Sequence, residues 1–215
     1  MGVSLKVREL SLKKGYNLLI HNLNFDLLPG QAISLTGENG VGKTTLLRTL
    51  AGFLTPHTGT IRAYENDVQL ESEIWQSRKV HFLGHHDALS PSRTVLQELR
   101  FQADFLGGDL GGDLAGIGTL RLDTLLDLET RHLSAGQKRR LSCARLLMAK
   151  RPLWLLDEPM APLDVDHRAL LGSLMQAHLA DGGMIIAAVH DALPFNTQAL
   201  RLERPTMQDR EAACV

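Results

Sequence analysis

The octapeptide Gly37-Glu38-Asn39-Gly40-Val41-Gly42-Lys43-Thr44 constrains this chain more than any other stretch. Its closely spaced glycines do not suit a helix or strand interior, so the segment reads as a loop whose backbone visits conformations closed to side chains. An apolar run over 32–35 precedes it and reads as a short buried strand; a helix-like run over 43–51 follows, which Gly52 would stop. In a strand–glycine loop–helix arrangement, backbone N–H groups turn inward around an anion and the helix N-terminus adds positive potential. Lys43 would supply a charge to the outer phosphates of a nucleotide, and the Thr44 hydroxyl would ligate Mg2+.

Such a loop needs a carboxylate partner, and Leu153-Trp154-Leu155-Leu156-Asp157-Glu158 offers two at the end of an apolar strand. Asp157 at the strand tip can reach the Mg2+ shell, directly or through water. Glu158 can accept a proton from the water that attacks the last phosphate. An Asp-Glu pair alone is a common turn; beside the upstream loop it acquires chemical meaning. Farther along, Leu133-Ser134-Ala135-Gly136-Gln137 puts a good N-cap, Ser134, before an amphipathic run over 137–150 that carries Lys138, Arg139 and Arg140. A Ser and a Gly at a helix start also make an anion-binding end. Because residues 37–44 already take one side of the nucleotide, this second end suits a neighbouring molecule's nucleotide.

The organisation around these motifs is strand–helix alternation interrupted by helices. Residues 3–12, 23–28, 58–64 and 79–83 read as strands, with Pro29-Gly30 as a turn. Apolar residues at mostly helical spacing over 94–105 (Val95, Leu96, Leu99, Phe101, Phe105) predict a helix. The repeat GGDLGGDL over 107–114 reads as a linker. Then come a strand at 153–156, a helix at 165–180, and strands at 184–189 and 198–202. These predict one α/β domain over 1–215, with a core at 1–87 and 150–203, a helical lobe at about 88–149 and a polar tail at 204–215.

In their order and over nearly the whole chain, these segments resemble the nucleotide-binding domain of ABC transporters. LSAGQ (133–137) is similar to that family's signature, usually LSGGQ, with Ala135 in place of a glycine. The resemblance implies a P-loop fold of ABC type: a mostly parallel sheet core with an antiparallel β portion and a helical lobe. It implies ATP as substrate with Mg2+, and ATP-binding residues Gly37, Glu38, Asn39, Gly40, Val41, Gly42, Lys43, Thr44 and Thr45. It also implies a head-to-tail homodimer in which Ser134, Gly136 and Gln137 of one copy face the other copy's nucleotide. Asp164, closing Ala161-Pro162-Leu163-Asp164, would communicate across that dimer. His190 fits the family's switch histidine, which together with Glu158 makes the catalytic pair. Thr44 and Asp157 are the implied metal ligands. His86 stands where the family's glutamine that senses Mg2+ would follow the strand at 79–83, and imidazole, unlike an amide, changes charge near neutral pH. His81, His85 and His86 could also be imagined as a transition-metal site, but no accompanying carboxylate or cysteine favours it. Tyr16 is the candidate adenine-stacking aromatic, offset from the family's usual placement.

Composition narrows the role. A formal net charge of −1, from 23 Lys+Arg against 24 Asp+Glu, lacks the basic excess of a nucleic-acid binder, so no nucleic-acid partner is expected. Two cysteines, Cys143 and Cys214, form no disulfide framework and suit a reducing compartment. The N-terminus alternates apolar and polar residues instead of forming a secretory signal, and the apolar run at 184–189 is far short of a membrane span. GHHDAL (84–89), LSAGQKRR (133–140) and LWLLDEP (153–159) together resemble the ATP-binding subunits of bacterial cytochrome c biogenesis. That implies a peripheral subunit on the cytoplasmic face of the inner membrane, docked on integral-membrane partners and serving haem export or release of a haem-loaded chaperone. No residue here argues for direct haem binding. An exporter ATPase for another substrate, or a non-transport ABC ATPase, are the competing readings; the latter typically carries a coiled-coil insertion or a second cassette.

Overall fold

A computed structural model describes residues 2–108 and 118–212. In chain order its elements are β1 (Val3–Lys14), β2 (Asn17–Leu27), β3 (Ala32–Thr36), α1 (Lys43–Leu50), β4 (Thr58–Glu65), β5 (Val68–Gln69), α2 (Ser72–Arg78), β6 (Val80–Leu83) and α3 (Val95–Leu106). After short 3-10 turns at Asp123–Leu125 and Thr130–His132 come α4 (Ala135–Cys143), α5 (Arg145–Met148), β7 (Leu153–Asp157), α6 (Val165–Ala180), β8 (Met184–Ala188), β9 (Gln198–Arg201) and α7 (Met207–Ala212). The strands form an antiparallel sheet, β2-β1-β4-β5, and a parallel sheet, β6-β7-β8-β3-β9. This is the expected α/β fold with its antiparallel portion.

Side chains on a strand alternate between faces, and the central strands β7 and β8 are apolar on both up to Asp157, as a sheet covered on two sides requires. Ile33, Leu35, Leu153, Leu155, Met184 and Ile186 pack with Leu46, Leu47 and Leu50 of α1 and with Leu5, Val7 and Leu27 of the antiparallel sheet. Ala32, Trp154, Leu156, Ile185 and Ala187 face the other way, towards Val95 and Leu99 of α3, Leu141 of α4, Leu146 of α5 and Met175 of α6. Each fully buried Leu or Ile contributes roughly 1.5–3 kcal/mol by leaving water. α1 and the helical elements therefore clamp opposite faces of one sheet.

Several boundaries differ from the sequence reading. β2 begins at Asn17, six residues before the expected 23, because β-bulges shift the β1–β2 register after Val7 and Leu10. Glu9 and Asn22 sit at φ +52° and +50°, so the period-2 pattern is broken where pairing continues. The helix expected over 137–150 is two pieces, α4 and α5. α2 and β5 had no clear pattern. Residues 204–215, expected as a polar tail, include α7, whose start is capped by a Thr206 hydroxyl that accepts from the Asp209 N–H. The GGDLGGDL repeat lies outside the described residues from 109 onward; Gly107 ends α3 at φ +69°.

His81 on β6 is buried, its Nε2 2.8 Å from the Ala149 carbonyl. Burial, the largest cause, pushes its pKa down from 6.5 to about 4. Between those values the unfolded chain binds a proton that the folded chain does not. Stability is therefore expected to be insensitive to this group above pH 6.5 and to fall by up to ~3 kcal/mol as pH drops towards 4. Denaturant melts of the parent and His81→Gln from pH 7.5 to 4.5 check this; the variant's pH slope should be shallower.

Candidate functional site

Residues 37–42 leave the C-terminal end of β3 and run directly into α1. Gly37, Gly40 and Gly42 take φ +132°, +78° and +119°. At Gly37 the need for glycine is double, since a Cβ would also lie 2.4 Å from the Leu202 carbonyl oxygen. Gly42 is the N-cap of α1 and no side chain caps the helix, so its first-turn N–H groups are free of a capping oxygen and suited to an anion. Lys43 is largely buried and donates from Nζ to the Gly37 and Glu38 carbonyls at 2.6 and 3.2 Å, bracing the loop from inside. Thr44 donates its hydroxyl to Asp157 Oδ2 at 2.8 Å. Thr45 lies on the same first turn. Glu38, Asn39 and Gly40 are exposed, and Val41 is buried.

Asp157 is the buried last residue of β7. Glu158 follows at φ +51°, a left-handed conformation for a residue with a Cβ that costs on the order of 1 kcal/mol and turns the chain out of the ladder. Its Oε1 lies 2.9 Å from His190 Nε2, just beyond β8. Its Oε2 lies 3.6 Å from His85 Nδ1. The sequence singled out His86, at the position of the family's Mg2+-sensing glutamine, and gave His85 no role beside Glu158. In the structure His85 is the ring that faces Glu158, and the exposed His86 packs edge-on against it at 5.4 Å. No transition-metal site forms from His81, His85 and His86: His81 is engaged with Ala149, and no group of three or more His, Cys, Asp or Glu converges among the described residues.

Ser134 caps α4 reciprocally: its hydroxyl accepts from the Gln137 N–H at 3.2 Å, and Gln137 Oε1 accepts from the Ser134 N–H at 2.8 Å. Ser134 and Ala135 are exposed, and a Cβ on Gly136 would approach nothing nearer than the Pro162 carbonyl at 3.7 Å. Among the described residues no hydrogen bond joins 134–137 to 37–45. Asp164 caps α6, accepting from the His167 N–H at 2.9 Å. Tyr16 is fully exposed at the β1–β2 hairpin turn. Leu19 and Ile20, a few residues along β2, lie 3.4 Å from where a Cβ on Gly42 would be, so this hairpin borders the glycine loop. The sequence gave Arg139 no role beyond its place in the amphipathic run over 137–150, yet it is fully buried against the end of β7. A signal was present, for Arg139, Ser142, Cys143 and Leu146 share one helical face at i, i+3, i+4 and i+7.

The ABC transporter family matches residues 20–161. The chain belongs to that family. Among curated relatives, the cytochrome c biogenesis ATP-binding export protein CcmA of Rhodopseudomonas palustris (strain HaA2) is 44% identical over 195 residues, covering 91% of this chain and 96% of that protein. CcmA of Bradyrhizobium diazoefficiens is 44% identical over 200 residues, covering 93% and 98%. Among solved structures, the dimeric post-hydrolysis state of the ATP-binding cassette MJ0796 bound to ADP and Pi superposes with a TM-score of 0.77 at 23% identity, covering 93% of this chain and 94% of that one. The fold is thus that of an ABC cassette, and no helix among the described residues is long and apolar enough to cross a membrane.

Proposed function

We propose that this ABC protein is the ATP-binding and ATP-hydrolysing subunit of a bacterial cytochrome c biogenesis complex, coupling hydrolysis to haem export or to release of a haem-loaded chaperone. One observation carries the enzymatic part. Residues from three separate segments meet at a single sheet edge, with Thr44 on Asp157 at 2.8 Å and Glu158 on His190 at 2.9 Å. The similarity to the CcmA proteins supports the cellular role.

The Thr44 hydroxyl and Asp157 carboxylate, brought together from α1 and β7, are the hard oxygen donors that Mg2+ prefers, so the residues fit this ion. When bound with ATP it would neutralise phosphate charge; His86, whose imidazole is a poorer match for Mg2+, would act through a water. Residues 37–45 wrap the phosphates with backbone N–H groups, and Lys43 exchanges its carbonyl partners for phosphate oxygens. Tyr16 offers an exposed ring for the adenine. Glu158 accepts the proton of the attacking water, and His190 holds the glutamate and contacts the last phosphate.

Two copies would close head to tail, the exposed 134–137 helix ends each facing the other's nucleotide. The chain would act as one domain with a core at 1–87 and 150–203 and a lobe at 88–149. A groove of about 840 Å³ between them is lined by Phe53, Leu54, Phe82, Phe101 and Phe105, with Arg48, Arg145 and Arg151 among its cations. It suits a cytoplasmic helix of an integral-membrane partner, which would seat the protein on the inner face of the bacterial inner membrane. Haem would be handled by those partners.

Lys43→Ala is expected to abolish Mg-ATP binding, read by fluorescence of a nucleotide analogue; parental affinity would remove the loop's assignment. Glu158→Gln should keep ATP binding and accumulate as a dimer under saturating Mg-ATP in size-exclusion chromatography, because the water loses its proton acceptor. Phe101 and Phe105 are exposed, so Phe101→Asp with Phe105→Asp should leave the melting point and nucleotide binding unchanged while the protein no longer co-purifies with membranes.

A further inference from the structure

The side chain of Arg139 is 2% exposed, yet every N–H donor of its guanidinium has a partner. Nε reaches the Pro159 carbonyl at 3.3 Å. Nη2 reaches the carbonyls of Asp157 and Glu158, both at 2.8 Å. Nη1 reaches the Gly84 carbonyl at 2.8 Å and Asp87 Oδ1 at 3.2 Å. The pairing of β7 with β8 ends at Asp157, so the next carbonyls have no strand partner in the ladder, and Arg139 supplies one. It does so where the backbone takes the strained Glu158 turn.

The same group fixes the loop that presents His85. Gly84, held by Nη1, directly precedes His85, whose Nδ1 lies 3.6 Å from Glu158 Oε2. Two further donors from this helix pair, Ser142 Oγ and Arg145 Nη2, hold the Asp87 carbonyl at 3.2 and 3.0 Å. The Glu158 carboxylate thus sits between two imidazoles, His190 on one oxygen and His85 on the other. Arg139 anchors both the backbone beneath it and the loop beside it. Arg139 is also five residues along the helix that Ser134 caps, about 7.5 Å of helical rise from it. The 134–137 helix end and the turn carrying Glu158 are thus joined through one helix and one guanidinium.

We propose that Arg139 is a positioning residue that ties the seating of the 134–137 helix end to the placement of the Glu158 carboxylate, and that His85 completes the grip opposite His190. The proposal rests on Glu158 as the proton acceptor. Lysine cannot replace Arg139, since a point-like ammonium lacks the planar fork that reaches 84, 87 and 157–159 together.

The test is the ATPase of the full chain in its membrane complex for Arg139→Lys, His85→Ala, the double variant and Glu158→Gln, with Mg-ATP binding and melting of each chain. Arg139→Lys is expected to lower kcat about tenfold with KM for ATP near parental, measured well below its own lowered melting point, since an ammonium leaves some of the buried carbonyls without donors. The exposed His85→Ala should lower kcat severalfold, and the double variant should be no slower than Arg139→Lys, because His85 acts through a position Arg139 sets. Parental turnover in His85→Ala, multiplying effects, or a kcat loss in Arg139→Lys that only follows melting would overturn the proposal. Should Arg139→Lys fail to fold, His85→Ala decides alone. If Glu158→Gln kept parental turnover, the proton-acceptor reading itself would be wrong; if it lost turnover while the other variants did not, only the grip would be.

Discussion

Ala188 is in register with Leu35 on one side and with Asp157 on the other, and that alignment decides which side chains can meet. β3, β7 and β8 end at the same level, so the chain leaves the sheet there three times. Each exit deposits chemistry: 37–42 after β3, Glu158 after β7, His190 after β8. Leu83 pairs with Leu156, bringing the β6 exit and His85 to the same edge. Open α/β sheets place ligands outside the carboxyl ends of their strands. Here the apolar residues on both faces fix the register, because a one-residue slip would exchange the two packed faces. Hydrophobic patterning far from the site is what holds Thr44 within 2.8 Å of Asp157.

The groups gathered there satisfy one another in ways a ligand can take over. Lys43 donates to carbonyls of its own loop, Thr44 to Asp157, and His190 to Glu158. A buried ammonium or carboxylate without partners costs several kcal/mol, so each is parked on a neighbour. These neighbours are weaker partners for Lys43 than a phosphate, which adds full opposite charge to the same hydrogen-bonding geometry. The uncapped start of α1 belongs to the same logic, whereas α3 and α4 both begin with complete capping boxes.

What was legible in the sequence was local. The glycine loop and the Asp157-Glu158 pair carry their geometry in consecutive residues, and the strand–helix alternation fixed the sheet. β2 was cut short because bulges erase period-2 spacing while leaving pairing intact. Counting along the loop after β6 puts His86 at the position of the family's Mg2+-sensing glutamine, but that His85 is the ring facing Glu158 could not be counted: the direction of a side chain depends on turns that only tertiary bonds set, here those of Arg139 and Arg145. Arg139 itself was hidden by its class, since arginine at a helix surface usually faces water. Only its shared face with Ser142, Cys143 and Leu146 set it apart.

A last constraint comes from water. In this single chain the Glu158 side chain is 27% exposed and that of His190 53% exposed. Beside them lies a cavity of about 430 Å³ lined by Pro159, Met160, Ala161, Ala169, Ala192 and Pro194. A glutamate that takes a proton from one chosen water works best where other water is excluded and electrostatic interactions are strong. The chain supplies the reacting groups and the apolar wall but no cover over them among its described residues. The 134–137 helix end, meanwhile, is capped, exposed and without a hydrogen bond to its own glycine loop. A site open on one side and a helix end unused on the same molecule are complementary deficits. Pairing two copies head to tail meets both at once, which is why cleavage and association belong to one event in the proposed mechanism.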